Sequence, residues 1–250
     1  MKKKDKLKKQ TKNIELLNND TPFGVRESYL SICTNMMFSV DRDGNPSKVF
    51  VITSSVPGEG KSTTAANLAI GFAMFGKKVL LIDIDLRKPT QHKIWGFQAE
   101  GGMSNLLSGV NDCLVHKVID LPISIIGAGN IPPNPSELIL SSRFSKIINF
   151  LRGKYDYILI DATPMNIVSD ARLVLENADS VALVVRSEYT DCRALEHALE
   201  TIEQSNAKCC GFILNDVDLK RGEYAYSYSY SSYGYGEEGQ KKKHSKRKNK

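Results

Sequence analysis

No run of consecutive apolar residues in the 250-residue chain approaches the ~18 that a membrane-spanning helix needs. The lysine-rich start leads into polar sequence rather than the apolar core of a secretory signal. Both absences predict a chain that resides in the cytoplasm. Cysteine is sparse and odd in number: Cys33, Cys113, Cys192, Cys209 and Cys210 form no Cys-x-x-Cys pair. With only four histidines beside them, they spell out neither a disulfide framework nor a structural zinc site. They read as small buried hydrophobes of a reducing compartment. His92, His116 and His197 have no metal-selecting spacing, and no repeat of 20–50 residues is visible.

The folded part also lacks a basic face. The net charge of +6 is concentrated at the ends, with +6 on residues 1–12 and +5 on residues 237–250, so residues 13–236 carry −5. That distribution argues against nucleic acid as a partner. The tails read either as solubilising disorder or as contacts to anionic lipid, where each Lys or Arg near the surface contributes about 1 kcal/mol.

What is present is an ordinary globular composition, 41% hydrophobic and 25% charged. Short apolar runs alternate with longer helix-period segments, which predicts an α/β fold: a P-loop NTPase-type, doubly wound, mostly parallel sheet with helices on both faces. Strands are expected at 49–54, 78–83, 123–127, 157–161, 180–186 and 210–215. Helices are expected at 26–39, 61–75, 136–151, 169–176 and 190–204. The expected organisation is a basic disordered tail over 1–20, one nucleotide-binding domain over 21–218 and a disordered segment over 219–250. In that last segment Tyr224, Tyr226, Tyr228, Tyr230, Tyr233 and Tyr235 alternate with small residues. Neither alternating set contains the aliphatic residues that a buried strand needs.

The apolar strand Val49–Ser54 runs into Ser55-Val56-Pro57-Gly58-Glu59-Gly60-Lys61-Ser62-Thr63-Thr64 and then into an Ala-rich helix. Strand, glycine loop and helix in this order form a phosphate-binding loop. Gly58 and Gly60 let backbone N–H groups turn inward, and the helix adds the positive end of its dipole. Lys61 reaches the β- and γ-phosphates, and the Ser62 hydroxyl is suited to Mg²⁺. Gly58, Glu59, Gly60, Lys61, Ser62 and Thr63 are the expected ATP-binding residues. Ser55 stands where the first glycine of the motif is usual.

Two carboxylate motifs close apolar strands, at the sheet edge where open α/β proteins bind ligands. In Leu80-Leu81-Ile82-Asp83-Ile84-Asp85-Leu86-Arg87-Lys88-Pro89, the two aspartates point to one side of an extended segment, with Arg87 close behind. In Leu159-Ile160-Asp161-Ala162-Thr163-Pro164, Asp161 is a Walker B carboxylate for the metal shell.

Together with Pro132-Pro133-Asn134-Pro135-Ser136-Glu137-Leu138 and the tyrosine cluster, these motifs make residues 25–236 resemble the bacterial tyrosine kinases that regulate capsule and exopolysaccharide synthesis. The resemblance implies a soluble kinase subunit using ATP and Mg²⁺. A membrane-anchored activator of the polysaccharide co-polymerase type would stimulate it through a cytoplasmic tail, at the inner face of the membrane. A protein-tyrosine phosphatase would oppose it.

It further implies that Ser62, Asp85 and Asp161 hold the metal, that Asp83 takes the tyrosine proton and that Lys61 carries the γ-phosphate. Arg87 would steady phosphate or the acidic substrate, Asn215 would lie at the adenine, and the six tail tyrosines would be the acceptors. Glu137 reads either as a helix-capping residue or as a functional one.

A homo-oligomer is expected, but the Glu-x-x-Arg-x-x-Arg motif that builds the family's ring is Glu27-Ser28-Tyr29-Leu30-Ser31-Ile32-Cys33 here. Another surface or the partner would then assemble the kinase, or the tail would be phosphorylated without a stable ring. The rival readings are a non-catalytic phosphoacceptor scaffold and a partitioning-type ATP-switched ATPase. Against the second, Val56 occupies the position of the additional lysine those ATPases usually carry.

Overall fold

Within each short apolar run, successive side chains go to opposite faces of one sheet. Val49 and Val51 join one core cluster while Phe50 and Ile52 join the other, and the split recurs for Leu80 against Leu81, Ile158 against Leu159, and Leu183 against Val184. A strand buried on both faces shows no hydrophobic–polar alternation, which is why these segments read as continuous apolar runs.

The computed structural model describes residues 16–110 and 112–218. The chain divides into a unit Met1–Val217 and a unit Asp218–Lys250. The tyrosines Tyr224, Tyr226, Tyr228, Tyr230, Tyr233 and Tyr235 and most of both basic tails lie outside the described residues.

In chain order the elements are α1 (Phe23–Met37), β1 (Val49–Ser54), α2 (Lys61–Met74), β2 (Val79–Asp83), α3 (Gln91–Trp95), α4 (Met103–Ser108) and β3 (Val115–Lys117). They continue with β4 (Ile123–Ile126), α5 (Pro135–Leu140), α6 (Ser142–Arg152), β5 (Tyr157–Asp161), α7 (Asp170–Leu175), β6 (Ser180–Arg186), α8 (Cys192–Glu203) and β7 (Lys208–Asn215). The sheet order is β3-β4-β2-β5-β1-β6-β7. Every pairing is parallel except the edge pair β3–β4. Strand β5 is therefore central, and the neighbouring parallel strands β2, β5 and β1 bring Asp83, Asp161 and the P-loop to one edge.

Four differences from the expected layout have physical causes. Helices α3 and α4 are too short to show a 3.6-residue period, and β3 is a three-residue, largely exposed edge strand without alternation. The single helix expected over 136–151 is broken at Ser141, whose backbone is extended and whose hydroxyl donates to the Leu138 carbonyl at 2.7 Å. In one continuous helix Ile139 and Phe144 would point about 140° apart. The break lets α5 bury Ile139 while α6 buries Phe144, Ile148 and Leu151. Finally, Leu17 falls in the stretch expected to be tail, yet it is buried on the α2 side of the core and its N–H donates to Asn67 Oδ1 at 2.8 Å. Folded structure thus begins before residue 21.

Helix α1 carries the altered ring motif. Cys33 is fully buried against α2, where a side chain at Gly71 would collide with its Sγ. Burial pushes its thiol up to about 12, so it remains protonated and packs as a hydrophobe. Where the ring motif has its second arginine, this helix has an inward-facing core residue.

Asp179, just before β6, ties the start of β1 to α6. It accepts the N–H groups of Lys48 and Val49, each at 2.8 Å, and Nη1 of Arg152 at 2.7 Å. Burial works against its charge, but these donors outweigh it and hold the carboxyl below its ordinary range. The stabilisation is therefore present above the unfolded carboxylate pKa and is lost as pH falls through the lower folded value. Asp179→Ala should cost about 2 kcal/mol in urea unfolding at pH 7. Its difference from the parent should shrink as the pH is lowered into the carboxylate range.

Candidate active site

The P-loop leaves β1 at Ser54 and enters α2 at Lys61. Its two glycines are left-handed, with φ of +87° at Gly58 and +94° at Gly60. A Cβ at Gly60 would collide with the Asn215 side-chain amide. Among the described residues, no carbonyl accepts the N–H groups of Gly60, Lys61, Ser62 or Thr63, the usual state of a helix start that awaits an anion.

Glu59 closes this loop from behind. Its fully buried carboxylate accepts the Ser55 hydroxyl, the Val56 N–H at 2.8 Å and the Thr190 hydroxyl. Asn215, at the end of β7, donates to the Glu59 carbonyl at 2.9 Å. Arg186 donates to the Gly58 carbonyl at 3.3 Å and Tyr189 to that of Pro57 at 3.1 Å.

At the loop's inner end the Lys61 ammonium rests among three oxygens. Ser62 Oγ lies at 3.1 Å, and Asp85 Oδ2 and Asp161 Oδ1 each lie at 3.3 Å. Burial would lower the Lys61 pKa, but Asp161, Asp85 and Asp83 overcome that penalty and raise it. The same three oxygens are the expected magnesium donors, and they already surround a positive charge. No group of three or more His, Cys, Asp or Glu among the described residues is arranged to hold a metal. One hydroxyl and two carboxylates suit Mg²⁺, which keeps waters and shares phosphate oxygens rather than filling an all-protein cage.

The two aspartates of the first motif part company. Asp85 is 5% exposed and lines an open cavity of about 320 Å³ with Gly58, Gly60, Lys61, Ser62 and Thr63. Asp83 is fully buried and accepts the N–H groups of Asp85, Thr90 and Gln91. Burial and the Asp161 charge push its carboxyl up to about 7, against the pull of those amides and Lys61. The expected proton acceptor thus shapes the turn into α3 rather than facing the cavity.

Arg87 lines the cavity, but its Nε and Nη2 are committed to Asp170, at 2.6 and 3.2 Å, and Nη2 also to Ser136 at 3.1 Å. It joins the loop after β2 to α5 and α7. Glu137 sits in the first turn of α5 and accepts from the Asn134 side chain, a local helix-start contact. Asn215 braces the loop from the side and is absent from the cavity wall.

The sequence gives no pattern for Gln91, although it is central here. The fully buried amide donates to Asp161 Oδ2 at 2.8 Å and to the Ser62 carbonyl at 3.0 Å, and its oxygen accepts from Trp95 Nε1 at 3.1 Å. Thr190 and Asp170 were equally invisible, because each acts on a motif residue distant in sequence.

The family description AAA domain matches residues 47–213. A tyrosine-protein kinase of Bacillus subtilis (strain 168), YwqD, is 39% identical over 202 residues, covering 79% of this chain and 84% of that protein. The putative tyrosine-protein kinase CapB of Staphylococcus aureus is 35% identical over 200 residues, covering 79% and 86%. The crystal structure of the chimerical protein CapA2B2 superposes with a TM-score of 0.71 at 38% identity, covering 76% of this chain and 84% of that one. A parallel sheet that brings a P-loop and two carboxylate motifs to one edge, together with this likeness over most of both chains, places the protein in the bacterial tyrosine-protein kinase family.

Proposed function

We propose that this chain transfers the γ-phosphoryl group of Mg-ATP to tyrosine hydroxyls, its own cluster Tyr224–Tyr235 included, and thereby regulates capsular or extracellular polysaccharide synthesis. The observation that carries the site assignment is the convergence of Ser62, Asp85 and Asp161 on the Lys61 ammonium beneath an open cavity. The names of the relatives, tyrosine-protein kinases of the CapB and YwqD kind, support the acceptor chemistry.

Phosphoryl transfer is mostly positioning and charge neutralisation. The N–H groups from Gly58 to Thr63 cradle phosphate oxygens, Lys61 turns from its carboxylates to the γ-phosphate, and Asn215 flanks the loop on the nucleobase side. Ser62 and Asp161 would hold Mg²⁺, with Asp85 near its water shell, and the ion would supply charge neutralisation. Asp85, on the cavity wall, receives the phenol proton as the tyrosine oxygen bonds to phosphorus and the bond to the β–γ bridging oxygen breaks, releasing ADP. Asp83 positions Asp85 through the backbone, and Gln91 orients Asp161.

Among the described residues no helix is long and apolar enough to cross a bilayer. In this reading a membrane-anchored activator with a cytoplasmic tail recruits the kinase to the inner face, and a protein-tyrosine phosphatase resets it.

Lys61→Met should abolish phosphotyrosine, read by mass spectrometry after incubation with Mg-ATP and activator peptide. Phosphate formed at the parent rate would overturn the site. Asp85→Asn should slow transfer at least about a hundredfold with the fold intact. Asp83→Asn should instead lower the melting temperature and activity together. Gln91→Leu strands a buried carboxylate oxygen and should cost about 1–3 kcal/mol in urea unfolding.

A further inference from the structure

Beside the nucleotide cavity lies a second and larger one of about 610 Å³. The two share a wall made of Arg87, Lys88 and Thr90. The second continues over His92 and Lys93 to the loop after β4, with Glu100 the one acidic residue on its lining.

Arg87 is engaged by Asp170 and Ser136, whereas neither Lys88 nor Lys93 forms an ion pair among the described residues. The Thr90 hydroxyl is a buried atom without a hydrogen-bond partner among the described residues. His92 lies on the same lining, where burial and the neighbouring Lys93 hold it below its ordinary pKa. Two unpaired ammonium groups, a hydroxyl lacking a partner and an imidazole make a set suited to an anion with several acceptor oxygens.

The tail carries the residues whose phosphorylation creates an anion of that kind. Tyr224, Tyr226, Tyr228 and Tyr230 are spaced by two. In an extended chain, residues i and i+2 point to the same side about 7 Å apart. A tyrosine peptide with one ring at the nucleotide cavity would then carry its neighbour in this set toward the shared wall. We propose that the second cavity binds a phosphotyrosine two residues from the acceptor, so that the first phosphate on the tail primes the next. This rests on the reading of the tail as substrate.

The full-length chain, titrated with fluorescent peptides spanning residues 223–231, provides the test. A peptide with phosphotyrosine at the position of Tyr226 should bind at least about tenfold tighter than the unphosphorylated one. Lys93→Glu should erase that preference and Lys93→Gln should weaken it, while Lys146→Glu, an exposed lysine on α6, should leave it intact; melting curves check that each variant is folded.

Equal affinity for the two peptides, or a preference that survives Lys93→Glu, overturns the proposal. So does inorganic phosphate competing as well as the phosphopeptide, which would mark a general anion site. In an intact-mass time course, Lys93→Glu should acquire its first phosphate at the parent rate and then accumulate as the singly phosphorylated chain. Absence of any phosphate on the parent would overturn the kinase reading, while the binding titration still decides this one.

Discussion

A lysine held among carboxylates at the edge of a buried parallel sheet is the constraint around which this structure is arranged. Lys61 has 12% of its side chain exposed, and Asp161 has none. Either charge alone would cost several kcal/mol to keep out of water, and only their pairing makes the arrangement stable. The sheet order meets that requirement, because the neighbouring strands β2, β5 and β1 lead into Asp85, Asp161 and Lys61 at the same edge. It also explains why the surrounding amides are spent as they are. Gln91 satisfies Asp161 and the backbone N–H groups of α3 satisfy Asp83.

A second set of contacts ties this edge to the part of the sheet from which the tail departs. Glu59 is grasped by Thr190 from the connection between β6 and α8, and Asn215 at the end of β7 holds the Glu59 carbonyl. Arg186 reaches both Gly58 and Asp216. The P-loop is therefore bonded to the C-terminal end of the described domain. The loop and the end of the last strand are parts of one hydrogen-bonded unit. The altered ring motif packs on α2, the helix that follows the P-loop, where Cys33 has turned into the core and Glu27 remains exposed.

Much of this was legible in the order of the motifs. Strand, glycine loop and alanine-rich helix announced the P-loop, and the apolar runs ending in Asp83 and Asp161 located two more strands and their carboxylates. What escaped were short elements and long-range partners. Helix α3 is five residues long and holds Gln91 in place by contacts to Asp83 and Asp161 that no local period encodes. The same limit separated the two aspartates of the first motif: spacing of two predicts a shared direction, but the chain turns sharply after Asp83, burying one and exposing the other to the cavity.

The amino-acid sequence by itself determined the α/β class, the place of every strand but the short edge strand β3, the phosphate loop and the types of charged residue at its mouth. These depend on hydrophobic runs and local backbone chemistry that are written in adjacent residues. Only the tertiary structure decided which aspartate faces the cavity, which glutamine orients Asp161, what engages Arg87, and that a second cavity, lined by lysines without an ion pair among the described residues, adjoins the first. Those outcomes depend on which segments the sheet order brings together, and on the cost of leaving a buried charge or amide without a partner.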